Sequence, residues 1–457
     1  MSFLGIEFND AAITGVSEGR TVFVEPGCAH VVAGELQFGY AALAAAHKSP
    51  RGFHDRYWRD LSEQPVDTGE AAIVSYADLA HAQLQRLWQA AGAAADSVGF
   101  AVPSHWSRDQ LALLLGVAEE VGMPVAGIAE IPVAATRRSY PLKNFLHLEM
   151  YAHATVVSRM TQDNGTAVGT NEMLENIGSN ALRRSCAEFF ARRFLECSRF
   201  DPLHAAASEQ QVYDHLDDWI AQLPKSGETR LQFSFEGNEF SAQAGRTQLI
   251  DGLRLRCQPL LQVIRSGLGA DGTAVLQLDA SFAAYPGVTE MLQSIPGCTV
   301  FVLEPGAAAR GLDARHEQLY RQEKGVTLST TLAWDQPPAE LAESPLGGSV
   351  DAQLPTHVLL DGSAYRLGEQ PLRIGTEDSG SDYALVIESR HGAISRQHCS
   401  IEKDAGRMLL TDYSRYGTLL NGHKVQGTAV LQTGDVISIG EPACELRLLT
   451  EVVPDGA

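Results

Sequence analysis

The sequence predicts two different folds in one chain, a long α/β domain followed by a small all-β domain. Three observations carry this. From Met1 to about Thr331, strand-like apolar runs alternate with amphipathic stretches of helical period. From Asp335 to Gly348, Pro, Gly and acidic residues dominate, which is linker composition. From about Pro355, short runs of alternating apolar and polar residues are punctuated by Gly, the pattern of antiparallel strands joined by tight turns. The expected boundaries are therefore 1–331 for the α/β domain, 332–354 for a linker and 355–451 for the all-β domain.

Composition narrows the function classes. The 457 residues, 44% hydrophobic, suffice for two or three domains with sizeable cores. A net charge of −21 without a Lys/Arg-rich run argues against nucleic acid or an anionic membrane as a partner of the whole chain. No uncharged apolar run reaches membrane-spanning length, and the N-terminus begins at once with the strand-like Phe3–Phe8. The seven cysteines are odd in number, scattered and never in C-x-x-C spacing, which argues against a disulfide framework or a zinc site. The expectation is a soluble, cytoplasmic protein without membrane insertion, metal or cofactor.

In the α/β region one helix is fully punctuated. Ser107-Arg-Asp-Gln110 is a capping box, Leu111, Leu114, Leu115 and Ala118 form the apolar stripe, and Gly122 with Pro124 ends it. The strands Ser97–Val102 and Pro124–Ala129 flank it, making a βαβ unit. Further helices are predicted over Ala181–Ser198 and about Arg246–Arg265, and strands over Thr229–Phe235 and Ala274–Leu278.

The run Ala101-Val-Pro-Ser, the capped helix and Ile128-Ala-Glu-Ile-Pro-Val-Ala-Ala135 resembles the same segment of the DnaK-type seventy-kilodalton heat-shock chaperones. The likeness continues in order through Phe38-Gly-Tyr-Ala-Ala42, Ile177-Gly-Ser-Asn180, Pro286-Gly-Val-Thr-Glu-Met-Leu292 and Glu304-Pro-Gly-Ala-Ala-Ala-Arg-Gly311. It implies a bilobed, actin-like ATPase fold that holds ATP between two glycine-rich hairpins, where the missing Cβ lets backbone N–H groups reach phosphate. The motifs are degenerate here. The first hairpin reads Glu7-Phe-Asn-Asp-Ala11, so Asn9 stands where the family has Gly and Asp10 adds a like charge. The second reads Glu149-Met-Tyr-Ala-His-Ala154, without a glycine. The family's catalytic Lys falls on Leu43, and its adenosine turn on Asp279-Ala-Ser-Phe-Ala283 keeps only Ser281. Several losses of about 1–3 kcal/mol each would abolish useful ATP affinity, which implies a pseudo-ATPase with no catalytic residue. The contrary reading keeps Glu7 and Glu149 as water-mediated Mg²⁺ holders in a remodelled pocket for another ligand.

In the C-terminal region Leu372-Arg-Ile-Gly375, Ala393-Ile-Ser-Arg-Gln-His-Cys-Ser-Ile-Glu402, Gly417-Thr-Leu-Leu-Asn-Gly422 and Gly434-Asp-Val-Ile-Ser-Ile-Gly440 follow one another. This order resembles a forkhead-associated (FHA) domain, a β-sandwich whose loops hold a phosphothreonine peptide. The resemblance makes Ser395 a phosphate ligand, His398 and Gly375 braces of its loop, and Asn421 a peptide contact. Two family residues are missing, because the phosphate-binding Arg is Thr376 and the peptide-clamping Asn is Tyr416. Arg396, Arg390 and Arg415 are the substitute cations, since a phosphate dianion needs charge-assisted bonds. Read alone, the same arginines are solvated loop charges on a surface for an unphosphorylated partner.

Together these readings predict a non-catalytic adaptor or scaffold that binds a protein partner, phosphothreonine-containing if the loop pocket is rebuilt. One alternative is an ATP-dependent, chaperone-like ATPase recruited by phosphopeptides. A second is a phosphate-independent structural or polymerising actin-like protein. His147 and His153 lack a third ligand at metal spacing, Asp214–Asp218 reads as a solvated helix face, and Ser400 and Ser414 lack a readable His/Asp partner set.

Overall fold

In the computed structural model the described residues are 2–32, 35–66, 73–92, 95–142, 144–268, 272–319, 326–339, 354–360, 363–368, 370–377, 383–387, 394–404, 407–415, 417–420, 423–425, 427–431, 435–440 and 444–449. The chain divides into two units, Met1–Leu341 and Ala342–Ala457.

The first unit repeats one topology. Its first half has strands β1 (Phe3–Glu7), β2 (Ile13–Ser17), β3 (Arg20–Glu25), β4 (Ser97–Val102) and β5 (Val125–Glu130) in the order β3-β2-β1-β4-β5. The first three pair antiparallel, β4 and β5 add on parallel, and Leu328–Ser329 extends the edge. Its second half has β6 (Phe145–Met150), β7 (Ala154–Gln162), β8 (Thr166–Glu175), β9 (Ala274–Leu278) and β10 (Cys298–Val302), in the same order and sense, β8-β7-β6-β9-β10. Both central strands are buried along their whole length, as parallel pairing with helices on both faces requires.

The helices supply those faces. In the first half α1 (Gly39–Leu43), α2 (Tyr76–Ala90), α3 (Arg108–Val121) and α4 (Ile131–Ala135) follow in order. Leu79, Leu84 and Leu114 pack with Ile6 and Phe100 on one side of the sheet. The capping box Ser107/Gln110 and the left-handed Gly122 bound α3, and Ser75/Asp78 form a second box at α2. In the second half α5 (Ser179–Ser198), α6 (Ala206–Gln222) and α7 (Arg246–Gly267) bring Phe190, Phe194, Trp219 and Leu253 against Leu146 and Leu276. Between α6 and α7 lies the hairpin Glu228–Phe235/Asn238–Gly245.

α8 (Val288–Gln293) joins the second half's core through Val288, Met291 and Leu292, whereas α9 (Ala307–Ala314) lies on the other face of the first sheet, packing with α4 in a layer of small residues, Ala101, Ala129, Ala134 and Ala308. The approach is close. A Cβ on Gly311 would lie 1.8 Å from the Ala134 carbonyl oxygen, and one on Gly5 2.5 Å from that of Ala309. Arg315, 3% exposed, donates to the carbonyls of Gly311 (3.0 Å) and Thr136 (3.2 Å), joining the ends of α9 and α4.

Residues 332–339, placed by composition in the linker, belong to the first unit instead. Arg137 forms an ion pair with Asp335, the Asp335 and Gln336 amides donate to the Arg137 carbonyl, and Ala339 is buried beside Tyr140 and Phe145. Pro and acidic residues matched linker composition, yet their backbone hydrogen bonds are satisfied on the unit's surface.

The second unit is a two-sheet β-fold of β11 (His357–Leu360), β12 (Ser363–Arg366), β13 (Leu372–Gly375), β14 (Ala384–Val386), β15 (Cys399–Asp404), β16 (Arg407–Asp412), β17 (Thr418–Leu420), β18 (His423–Lys424), β19 (Thr428–Leu431), β20 (Val436–Ile439) and β21 (Cys444–Leu449). The sheets run β12-β11-β21-β20-β17-β18 and β14-β13-β15-β16-β19. Val358, Ile374, Ile401, Leu410, Ile437 and Leu446, on alternate positions of their strands, form the core between them.

Because α9 and α4 touch through backbone at Gly311, Gly311→Ala should destabilise the first unit by about 2 kcal/mol or more. Differential scanning calorimetry is expected to show its transition lowered by several degrees, with the second unit's transition unmoved.

Candidate functional site

The repeat brings two equivalent turns face to face, β1–β2 (Phe8–Ala12) and β6–β7 (Tyr151–His153). Side chains of the first turn bond backbone of the second. Asn9 Nδ2 donates to the Met150 carbonyl (3.1 Å), and the Ala152 amide donates to Asp10 Oδ1 (2.7 Å). Further amides at the turns are also committed. Ala11 donates to Asn9 Oδ1 (3.0 Å), Ala12 to the Asn9 carbonyl, Tyr151 to the Ala154 carbonyl and Met150 to Asp279 Oδ2 (2.5 Å). The chain before α5 closes the second turn from behind, with Ser179 and Asn180 amides donating to the Tyr151 and Ala152 carbonyls. Gly178 makes this possible, since a Cβ there would lie 2.5 Å from the Ala152 oxygen.

Acidic groups surround these turns. Glu7 is 8% exposed and its Oε2 accepts from the amides of Ala308 (2.9 Å) and Ala309 (3.3 Å), filling the N-terminus of α9. Burial nevertheless raises its pKa to about 7. Asp10 and Asp279 are raised to about 6 by burial, partly offset by their backbone bonds, and Glu130 to about 7 by burial. Glu149 is fully buried, accepts from the Tyr151 hydroxyl (2.7 Å), and is pushed up by burial and by Asp279 and Glu7. A protonated carboxyl is a poor ligand for Mg²⁺.

Of the sequence-predicted residues, Glu7, Asn9, Glu149 and Ser281 meet around the turns. Ser281 does so by donating its amide to Asp279 Oδ1 (2.7 Å). Leu43 does not join them. It ends α1, half-buried, and its carbonyl accepts from Gln210 Nε2 of α6 (2.9 Å). Asp279, Asp10 and Tyr151 carry more of the geometry than the sequence motifs marked. The signal for Asp10 was available, because a charged residue at a turn tip needs a partner and the opposite turn offered only backbone.

In the second unit the loop ahead of β15 meets the loop between β16 and β17. Ser395 donates its amide to His398 Nδ1 (3.0 Å), and its Oγ accepts from the Arg415 amide (3.1 Å). That bond leaves the Ser395 hydroxyl hydrogen to be donated elsewhere. His398 is fully buried; burial lowers its pKa, opposed by the Gly417 backbone and Asp412. Nδ1 accepts, so the ring proton sits on Nε2. Gly375 lies under this loop, where a Cβ would be 2.0 Å from the Arg396 carbonyl oxygen. The Thr376 amide donates to the Ser395 carbonyl (3.3 Å). Arg396 is mostly exposed, 3.9 Å from Glu377. Asp412, unmarked by the sequence reading, organises the second loop by accepting from the Ser414 amide (2.9 Å) and the Thr418 hydroxyl (2.8 Å). Arg390, Asn421 and Tyr416 lie outside the described residues.

The raised carboxyls make the first unit's stability depend on pH. Glu7 binds a proton in the folded state that the unfolded chain releases between 4.5 and about 7, so this contribution is present at low pH and lost as pH rises through 7. The unit's Tm is expected to fall from about pH 5 to about pH 8, and Glu7→Gln to flatten that slope. Calorimetry across the range checks both.

None of the curated proteins matches the chain. The FHA-domain profile matches residues 372–440, the stretch that holds Gly375, Ser395 and His398. Residues 372–440 are an FHA domain, a protein-interaction module known for binding phosphothreonine.

Proposed function

We propose that the protein is a non-catalytic adaptor in which a DnaK-type, actin-like pseudo-ATPase unit is joined to an FHA domain that reads a phosphothreonine partner. The strand order repeated in both halves of the first unit supports the actin-like reading, because such folds are duplications with the ligand between the repeats. The observation that carries the loss of ATP chemistry is the commitment of four turn amides, those of Ala11, Ala12, Tyr151 and Ala152. A phosphate cradle needs free N–H groups, whereas Asn9, Asp10 and Asp279 already accept or replace those bonds. Asp10 and Asp279, raised only to about 6, stay ionised at neutral pH and add repulsion against a polyphosphate.

In the FHA domain, the Ser395 hydroxyl is held by His398 and the Arg415 amide, and the next residue, Arg396, extends an exposed guanidinium. They supply one donor and one cation for phosphate, with Glu377 as the competitor to be displaced. All seven cysteines are free thiols, which fits the reducing cytoplasm we propose for the protein.

Titration calorimetry of the full chain with ATP and Mg²⁺ is expected to give no binding heat up to millimolar nucleotide. Micromolar affinity would overturn the pseudo-ATPase reading. Phosphothreonine peptides are expected to bind and their unphosphorylated forms not. Ser395→Ala and Arg396→Ala should each weaken binding by at least ~1 kcal/mol, about fivefold. Equal affinity for both peptide forms would leave a phosphate-independent surface.

A further inference from the structure

Beside the facing turns, on the side of β4, a small pocket, half open to solvent and deep enough for about one water-sized group, lies between the two halves of the first unit. Its walls are aromatic. Trp58, Trp106 and Phe8 cluster with ring centroids 5.1 Å (Phe8–Trp58) and 6.3 Å (Phe8–Trp106) apart, and Tyr151 stands opposite, edge-on to His105 at 5.2 Å. Trp58 is fixed by Gln83, fully buried, whose Oε1 accepts from its indole N–H (2.6 Å) and whose Nε2 donates to Glu25 (2.7 Å) and to the Pro26 carbonyl (3.1 Å).

Two lining groups have unused polar atoms. Asp10 is 5% exposed; Oδ1 takes the Ala152 amide, and Oδ2 has no partner. His105 Nδ1 is likewise buried without a partner. Leaving such a group unpaired costs about 1–3 kcal/mol, more for a charged one, so this arrangement wants an occupant. Arg59 also lines the pocket, but it is spoken for by Glu175 (2.6 Å) and Asp60 (3.6 Å). The floor has room for a group the size of water or an ammonium.

We propose that this pocket binds the ammonium head of a small organic cation, a primary amine. The ammonium would lie against Asp10 Oδ2 and the faces of Trp58, Trp106 and Tyr151, an arrangement in which carboxylate and ring quadrupoles attract the same charge. A phosphate or carboxylate ligand would meet the unpartnered Asp10 oxygen and be repelled. The site goes beyond the adaptor reading: it does not depend on whether the FHA domain reads phosphate. It does share one consequence with the loss of ATP binding, since the cleft has exchanged affinity for an anion for affinity for a cation.

The test is tryptophan fluorescence and titration calorimetry of the full chain with ammonium and methylammonium chlorides, with potassium and tetramethylammonium chlorides as controls for chemistry and size. Saturable change with ammonium or methylammonium, and none with potassium or tetramethylammonium, is expected. Asp10→Asn keeps the acceptor for the Ala152 amide and should weaken the response at least tenfold with the far-ultraviolet circular dichroism unchanged. Glu175→Gln, at an exposed position, should also weaken it by freeing the Arg59 charge at the pocket. No saturable response, an equal response to potassium, or undiminished binding by Asp10→Asn would overturn the assignment and leave an internal water as the occupant. Saturable ATP binding quenching the same tryptophans would overturn both this site and the pseudo-ATPase reading, whereas silence to ammonium alone leaves the latter standing.

Discussion

The tie between the two facing turns is the constraint on which the first unit's chemistry depends. Two sheets of the same order deliver β1–β2 and β6–β7 to one place, where any backbone amide left free could serve an anion. Asn9 and Asp10 convert that potential into structure by bonding across to Met150 and Ala152. Each bond is modest, but it satisfies a buried group that would otherwise be costly, so the halves are held together without a bound ligand. Glu7 makes the same substitution at α9, placing a protein carboxylate at a helix N-terminus that could otherwise draw an external anion.

The accumulation of acids follows from that exchange. Glu7, Asp10 and Glu149 are buried and Asp279 is half-buried, and mutual repulsion adds to desolvation at Glu7 and Glu149. Backbone N–H bonds stabilise the ionised forms only in part. The result is a centre that tolerates protons and cations better than anions. The FHA loops carry the other polarity, with an exposed arginine and a hydroxyl oriented by the backbone.

Much of the architecture was legible in the sequence. The capped helix Arg108–Val121 and the strands Ser97–Val102 and Ala274–Leu278 lie where period and punctuation put them, because local rules and burial agree there. The order of the FHA motifs located its loops. Misplaced were residues 332–339, since composition records flexibility in isolation and not the docking of Asp335 on Arg137. At the two facing turns the sequence showed the absence of glycine, but not which groups would bond across. The partners of Asn9 and Asp10 lie 141 and 142 residues away, and no local pattern announces which backbone groups a turn will meet. Nor does period reveal that Trp58, Trp106 and Tyr151 share a wall.

One asymmetry in the paired turns bears on how this protein can vary. The first turn contributes side chains to the tie and the second contributes only main-chain atoms, the Met150 carbonyl and the Ala152 amide. Every residue type carries a carbonyl, and every one but proline an amide. As far as this tie is concerned, the second turn's side chains are free to vary, proline at 152 excepted, whereas positions 9 and 10 demand a short amide and a short acid. Among homologous chains, the interaction would survive wide variation on one side of the cleft and break with a single exchange on the other.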